Sequence, residues 1–205
     1  RACEIALAAG SSLPRALELV ATFRRRHQLP IILYGYYNPI FHYGPEQFAR
    51  DARAAGVDAV LVVDLPPEEV AELRAWIAPA GLHFIFLLAP TSDPSRIEKV
   101  LTHASGFLYY VSLTGVTGVQ AVQPQMVRPA IEDLRKRTDL PIGVGFGIST
   151  PEQAQAVAEF ADAAVVGSAI MRMVHQHAGK PQLVSKVADL VASLKAGVVA
   201  ARRAA

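Results

Sequence analysis

Six short apolar runs, at 31–36, 59–64, 83–89, 106–111, 141–145 and 163–167, are separated by longer segments whose apolar residues fall at helical spacing. The runs are near-continuous in Val, Ile and Leu, as strands covered on both faces require. A parallel sheet with helices outside it satisfies both patterns. The helical segments are 16–27, 45–55, 67–78, 95–102, 124–136, 151–160 and 182–201. Pro45, Pro67, Pro124 and Pro151 stand at or near a first turn, where proline forfeits no intrahelical donor and presets φ. A closed barrel of strand–helix units has eight strands, and six are visible. The sequence therefore predicts an α/β chain of TIM (β/α)8 barrel type, one domain over 1–205 and incomplete at its N-terminus, since Arg1 is followed almost at once by a helix. An open six-stranded sheet leaves unpaired N–H and C=O groups on two edges, so this polypeptide alone is expected to be unstable or aggregation-prone unless a missing piece or a partner completes it.

The totals narrow the class of partner. With 205 residues, 52% hydrophobic and 19% charged, the chain can bury a sizeable core and is too apolar to be disordered. The net charge is +2, and Lys and Arg are interspersed with Asp and Glu. The densest basic run, Arg24–Arg25–Arg26–His27, closes a predicted helix, where cations offset the dipole; no nucleic-acid partner is expected. A single cysteine, Cys3, excludes an intrachain disulfide and a CxxC motif and fits a reducing cytoplasm. No apolar stretch suits a membrane span and no leader pattern opens the sequence, so a cytoplasmic protein is expected. His175 and His177, two apart on a predicted helix, project to different faces, and no metal centre is expected.

Three glycine turns in the second half name a ligand. Gly115-Val116-Thr117-Gly118, Gly145-Phe146-Gly147 and Gly167-Ser168 each follow or close a predicted strand. Glycine lets main-chain N–H groups approach an anion with no Cβ in the way, and a helix opening at Ser168 adds free amides and its dipole. Barrels of this kind often bind phosphate between the loops after their last two strands and the start of a short helix. The stretch 115–125 has the length and glycines of a mobile lid.

The segments Leu33-Tyr34-Gly35-Tyr36-Tyr37-Asn38-Pro39, Asp64-Leu65-Pro66, Ser112-Leu113-Thr114-Gly115-Val116-Thr117-Gly118, Gly145-Phe146-Gly147-Ile148-Ser149 and Gly167-Ser168-Ala169-Ile170 together resemble the tryptophan synthase alpha chain family, in order and over essentially all of the sequence. The resemblance implies a barrel enzyme lacking here its first two strands and first helix. Its activity would be retro-aldol cleavage of indole-3-glycerol phosphate to indole and glyceraldehyde 3-phosphate. It implies phosphate binding at Gly118, Gly147, Gly167 and Ser168, and an assisting role for Tyr109. An indole pocket of Tyr34, Leu61, Leu87, Phe146 and Val165 follows from it, with the aliphatic members equally suited to ordinary core. The family's principal catalytic Glu and Asp match no residue of this chain and are expected upstream, so the fragment alone is expected to be inactive. The loop residues Asn38, Pro39, Phe41 and Pro66, with Asp64 in an interface or structural role, would border a beta chain in an alpha2beta2 tetramer. No cofactor is implied here, pyridoxal phosphate belonging to that partner. A stand-alone indole-glycerol phosphate lyase and a non-catalytic barrel remnant that binds phosphate or a partner are the alternatives.

Overall fold

Sequential strand–helix units account for almost every element of the computed structural model, which describes residues 2–111, 124–145 and 147–204. The chain resolves into two compact units, Arg1–Leu87 with Asp93–Gly106, and Leu88–Ser92 with Phe107–Ala205. The first holds α1 (Ala2–Ala8), α2 (Leu13–Arg24), β1 (Ile32–Gly35), α3 (Tyr37–Tyr43), α4 (Pro45–Ala55), β2 (Ala59–Val62), α5 (Ala71–Ile77), most of β3 (His83–Leu88), and α6 (Pro94–His103). The second holds β4 (Leu108–Val111), α7 (Pro124–Arg135), β5 (Ile142–Gly145), α8 (Pro151–Ala158), β6 (Ala163–Ala164), α9 (Ser168–His177) and α10 (Leu183–Ala204).

Within the first unit β1, β2 and β3 pair in parallel, Ile32 opposite Ala59 and Val60 opposite Phe84. Within the second, β4, β5 and β6 do the same, Tyr109 opposite Gly143 and Gly143 opposite Ala163. Every residue of β2 and of β5 is buried, as their unbroken apolar runs require. The helices cover them with one apolar face each. Phe48, Ala49 and Ala52 are the buried residues of α4, Leu73 and Ile77 those of α5, and Ala154 and Val157 those of α8. By contrast β1 stays open: Ile32 is 37% and Tyr34 64% exposed.

Boundaries moved where local chemistry outweighed periodicity. The helix read at 16–27 starts at Leu13, because Ser12 accepts from the Arg15 amide and Pro14 sits in the first turn. The helix read from Pro67 begins only at Ala71. Two consecutive prolines offer no amides, so the Glu69 amide closes a single turn onto the Pro66 carbonyl first. The strand read at 163–167 is paired over only Ala163–Ala164, with one further bond from the Val165 amide to the Val144 carbonyl. Asn38, Pro39 and Phe41, read as loop, lie instead on α3, whose one buried side chain, Ile40, gave too weak a pattern to reveal a helix.

One clamp is built twice. In the first unit Asp58, just before β2, accepts from the Ile31 amide at the entry to β1 (2.7 Å) and pairs with Arg24 at the end of α2. The same guanidinium reaches the carbonyls of Gly56 and Leu29, each at 2.7 Å. In the second unit Asp162, just before β6, accepts from the Ile142 amide (2.8 Å) and from Arg135 (2.9 Å), which also reaches the Phe160 carbonyl. Arginine and isoleucine stand seven apart in both cases, each isoleucine follows Leu-Pro, and both intervening helices open with Pro-Glu-Gln. The registers agree too, since Ile32 faces Ala59 as Gly143 faces Ala163. The βαβ module β1–α4–β2 therefore recurs as β5–α8–β6.

Candidate functional site

Two helices start at the C-terminal ends of strands in the second unit, and they differ in whether their amides are free. At α8, Thr150 accepts from the Gln153 amide while Gln153 Oε1 accepts from the amides of Ser149 and Thr150, a closed capping box. Its donors are occupied by its own side chains. At α9 the N-cap is Gly167, with no side chain to cap the first turn, and Ser168 is exposed at its first position. An uncapped N-terminus presents N–H groups and the positive end of the helix dipole to an anion. The Thr-x-x-Gln pattern of Thr150 and Gln153 is the sequence signal that α8 is closed.

The glycines that follow β5 and β6 leave space clear. A Cβ placed on Gly147 or on Gly167 would meet nothing within 4 Å, so packing does not demand glycine at either position. Gly147 has φ +56°, a left-handed conformation that favours glycine; Gly167, at φ −117°, has no such requirement. What remains is an unobstructed approach to main-chain donors beside Ser168. Gly118, the remaining expected phosphate contact, lies outside the described residues, as do Phe146 and residues 115–123 of the expected lid.

Tyr109 is seated by the glycine strand beside it. It lies half-buried on β4, and its ring fills the place where a Cβ on Gly145 would go: the hydroxyl oxygen would be 2.5 Å away and two ring carbons 2.8 and 3.0 Å. A Cβ on Gly143 would similarly meet Phe107 at 3.2 Å and Val165 at 3.4 Å. Phe107, Tyr109 and Val165 thus pack over the glycines of β5. Gly145→Ala is expected to displace the Tyr109 ring and cost about 1–3 kcal/mol. Tyr109→Ala in the same chain should recover part of that loss, and thermal unfolding of the single and double variants reads the coupling.

The first unit places Tyr34 and Leu61 on the wall of a groove of about 610 Å³ that Leu7, Leu13, Leu33 and Ile40 also line. Leu87 is half-buried on β3 and is not among the groove's lining residues. Partial desolvation of its hydroxyl, with the neighbouring Tyr36 and Cys3, raises the Tyr34 pKa above the ordinary tyrosine value although the residue as a whole is exposed. Asp64, exposed beyond the end of β2, accepts from the Tyr37 amide at 2.7 Å and fixes the start of α3. From there Asn38, Pro39 and Phe41 are exposed, while Pro66 is half-buried. A second cleft, of about 410 Å³, lies in the second unit at the start of β6, the strand end opposite to Ser168. Arg128 and Arg135 line it, already paired with Glu159 and Asp162. Among the described residues no group of three His, Cys, Asp or Glu side chains could hold a metal ion, and no helix is long and apolar enough to cross a membrane.

Comparison with known proteins joins this geometry to a family. Residues 1–199 match the family model described as tryptophan synthase alpha chain. A tryptophan synthase alpha chain of Geotalea daltonii is 54% identical over 197 residues, covering 96% of this chain and 74% of that protein. Among solved structures, the alpha chain of Legionella pneumophila superposes with a TM-score of 0.85 at 37% identity, over 95% of this chain and 72% of that one. A structure from Pyrococcus furiosus described as a tryptophan synthase a2b2 complex gives a TM-score of 0.78 at 31% identity, over 93% and 75%.

Proposed function

The chain belongs to the tryptophan synthase alpha chain family, TIM-barrel lyases of tryptophan biosynthesis, and from that premise we propose that its second unit grips the phosphate of indole-3-glycerol phosphate at Gly147, Gly167 and Ser168. The observation that carries the reading is the uncapped start of α9 at the unobstructed Gly167, with a second unobstructed glycine, Gly147, following β5, while the donors of α8 are already spent. A dianion there takes charge-assisted hydrogen bonds from main-chain N–H groups and the Ser168 hydroxyl, each worth about 1.5–3 kcal/mol. Gly118 completes the cradle in this proposal.

The reaction is a retro-aldol cleavage. A proton is delivered to the indole ring carbon that bears the glycerol chain, the carbon–carbon bond breaks, and a base removes the hydroxyl proton as glyceraldehyde 3-phosphate leaves. Tyr109, seated on Gly145, walls the ring and assists; Tyr34, Leu61, Leu87, Phe146 and Val165 contribute apolar lining. On this proposal the family's principal Glu and Asp have no counterpart among the residues of this chain. Glu4 lies exposed on α1, and Asp64 is engaged with the Tyr37 amide. Cleavage by this chain therefore depends on carboxylates supplied from elsewhere. That dependence favours one second reading, a phosphate- or partner-binding protein without lyase activity, and assays with and without an upstream segment separate the two.

The exposed residues Asn38, Pro39 and Phe41, on a helix tethered by Asp64, form with Pro66 the surface proposed to meet a beta chain, in which pyridoxal phosphate chemistry would reside. The Pyrococcus furiosus relative, described as an a2b2 complex, supports an assembly of that kind.

Ser168→Asp tests the phosphate site directly. Glycerol phosphate titrated into the chain should bind roughly 10- to 100-fold more weakly to this variant, because a carboxylate replaces a donor and repels the ligand. Ser168→Ala should lose about tenfold, the loss of one hydrogen bond to a charged group. Equal affinity across all three proteins would refute the assignment.

A further inference from the structure

The helix that carries the proposed partner surface is too short to hold itself in place. α3 has seven residues, and a helix of fewer than about 12–15 is at best marginal on its own in water. It buries a single side chain, Ile40, while Phe41 is 57% exposed and makes its ring contacts with Tyr37 and His42, within the same helix. His42 Nδ1, 2.9 Å from the Asn38 carbonyl, stays within α3 as well. The next helix follows without a loop. Gly44 both ends α3 and opens α4, and its φ of +90° turns the chain there as few other residues could. The direction of α3 is therefore not inherited from α4.

Two carboxylates supply what packing does not. Asp64 holds the first residue of α3 through the Tyr37 amide. At the other end the Tyr43 hydroxyl donates across the Gly44 turn to Asp51 Oδ2 of α4, at 2.7 Å. Gln47, one turn before Asp51, donates from Nε2 to both oxygens of the same carboxylate at 2.8 Å. The bonds from Gln47 and Tyr43 keep the Asp51 carboxyl below the usual carboxylate range, and the bond to Asp51 raises the Tyr43 hydroxyl above the ordinary tyrosine value. An ionised acceptor thus meets a protonated donor at neutral pH. The anchor is firm, because Phe48, Ala49 and Ala52 bury the opposite face of α4.

We infer that Tyr43 and Asp51 are positioning residues for partner binding: their hydrogen bond sets the angle of α3 and so presents Asn38 and Phe41 to a beta chain in one orientation. The inference rests on the partner surface proposed above. Both residues are half-buried and act through α3. A surface held in its bound orientation before contact spares part of the ordering cost of association, and the saving is read in affinity.

Titration calorimetry of this chain with a tryptophan synthase beta chain, beside amide exchange of the chain alone, tests it. Tyr43→Phe removes only the hydroxyl. It should weaken beta-chain binding by roughly 5- to 10-fold, the worth of about one net hydrogen bond. Exchange in the last turn of α3 should quicken by about the same factor, with exchange in α4 and the thermal midpoint nearly unchanged. Asp51→Ala should match Tyr43→Phe, and Asp51→Asn, which keeps an acceptor for the hydroxyl, should recover most of the affinity. The double variant Tyr43→Phe with Asp51→Ala should lose no more than either single one. A lower midpoint with unchanged affinity would mark an ordinary structural bond and overturn the inference. Unchanged exchange in α3 would do the same. If the unsubstituted chain does not bind, the partner surface itself is refuted and this inference with it; binding that every variant shares at equal strength overturns the inference alone.

Discussion

Gly197→Ala is expected to destabilise the second unit by about 3 kcal/mol, at the upper end of ordinary overpacking costs. A Cβ on Gly197 of α10 would overlap the Pro151 carbonyl oxygen, with the carbonyl carbon at 2.8 Å and Cα at 3.0 Å. All three atoms are backbone at the first residue of α8, so no rotamer change can relieve the clash. Either α10 moves away from α8 or the first turn of α8 distorts, and that turn carries the Thr150–Gln153 capping box. Alanine would ordinarily add about 1 kcal/mol at a helix interior relative to glycine, which makes the sign of the effect diagnostic. For a chain of this size the melting midpoint should fall by about 6–12 °C. A midpoint that holds or rises would show that α10 does not approach α8 this closely.

Asp58→Ala should cost about as much, roughly 3 kcal/mol, for a different reason. The carboxylate serves the Ile31 amide and the Arg24 guanidinium together, and the Arg24 side chain is only 16% exposed. Removing it leaves a strand-entry N–H without its acceptor and a mostly buried cation without its counter-charge. Arg24 cannot simply swing away, since its aliphatic stem occupies the space over Gly56, with Cγ 2.6 Å from where a Cβ would stand. Asp58→Asn keeps an acceptor for the amide and loses the charge, so it should cost about half as much. The repeated clamp supplies an internal control. Arg135 is 42% exposed, and solvent screens its pair with Asp162, so Asp162→Ala should cost clearly less than Asp58→Ala. Urea unfolding of the three variants ranks them; equal losses at Asp58 and Asp162 would show that burial of the arginine is not what sets the difference.

Much of the fold is legible in the sequence. Short, mostly apolar runs such as Ala59–Val62 and Ile142–Gly145 require two covered faces, and that selects parallel strands with helices over them. The helix 45–55 agrees with the structure to the residue: Pro45 marks its start, and the structure ends it at Gly56 in the left-handed conformation. Where such markers were weak or misread, boundaries slipped. The helix α3 escaped because it is two turns long and buries one side chain, and the start of α5 was misplaced because Pro66 and Pro67 signal a turn as readily as a first helical residue. The expected phosphate residues Gly147, Gly167 and Ser168 came from glycine placement and family resemblance. That α8 closes its own amides, and α9 does not, was written in Thr150 and Gln153 but needed geometry to be recognised.

Local propensity and pattern thus determined the kind of element, its order and the parallel sheet, because each depends on a few neighbouring residues and on which faces must leave water. Tertiary structure alone decided the contacts between residues far apart in the chain. Asp58 reaches back to Arg24 and Ile31, Asp162 to Arg135 and Ile142, Gly145 makes room for Tyr109, and Gly197 for Pro151. Such pairings have no period to betray them. Whether a carboxylate is a surface charge or a clamp, and whether a glycine is a hinge or a vacancy, depends on what the fold brings within a few ångströms of it.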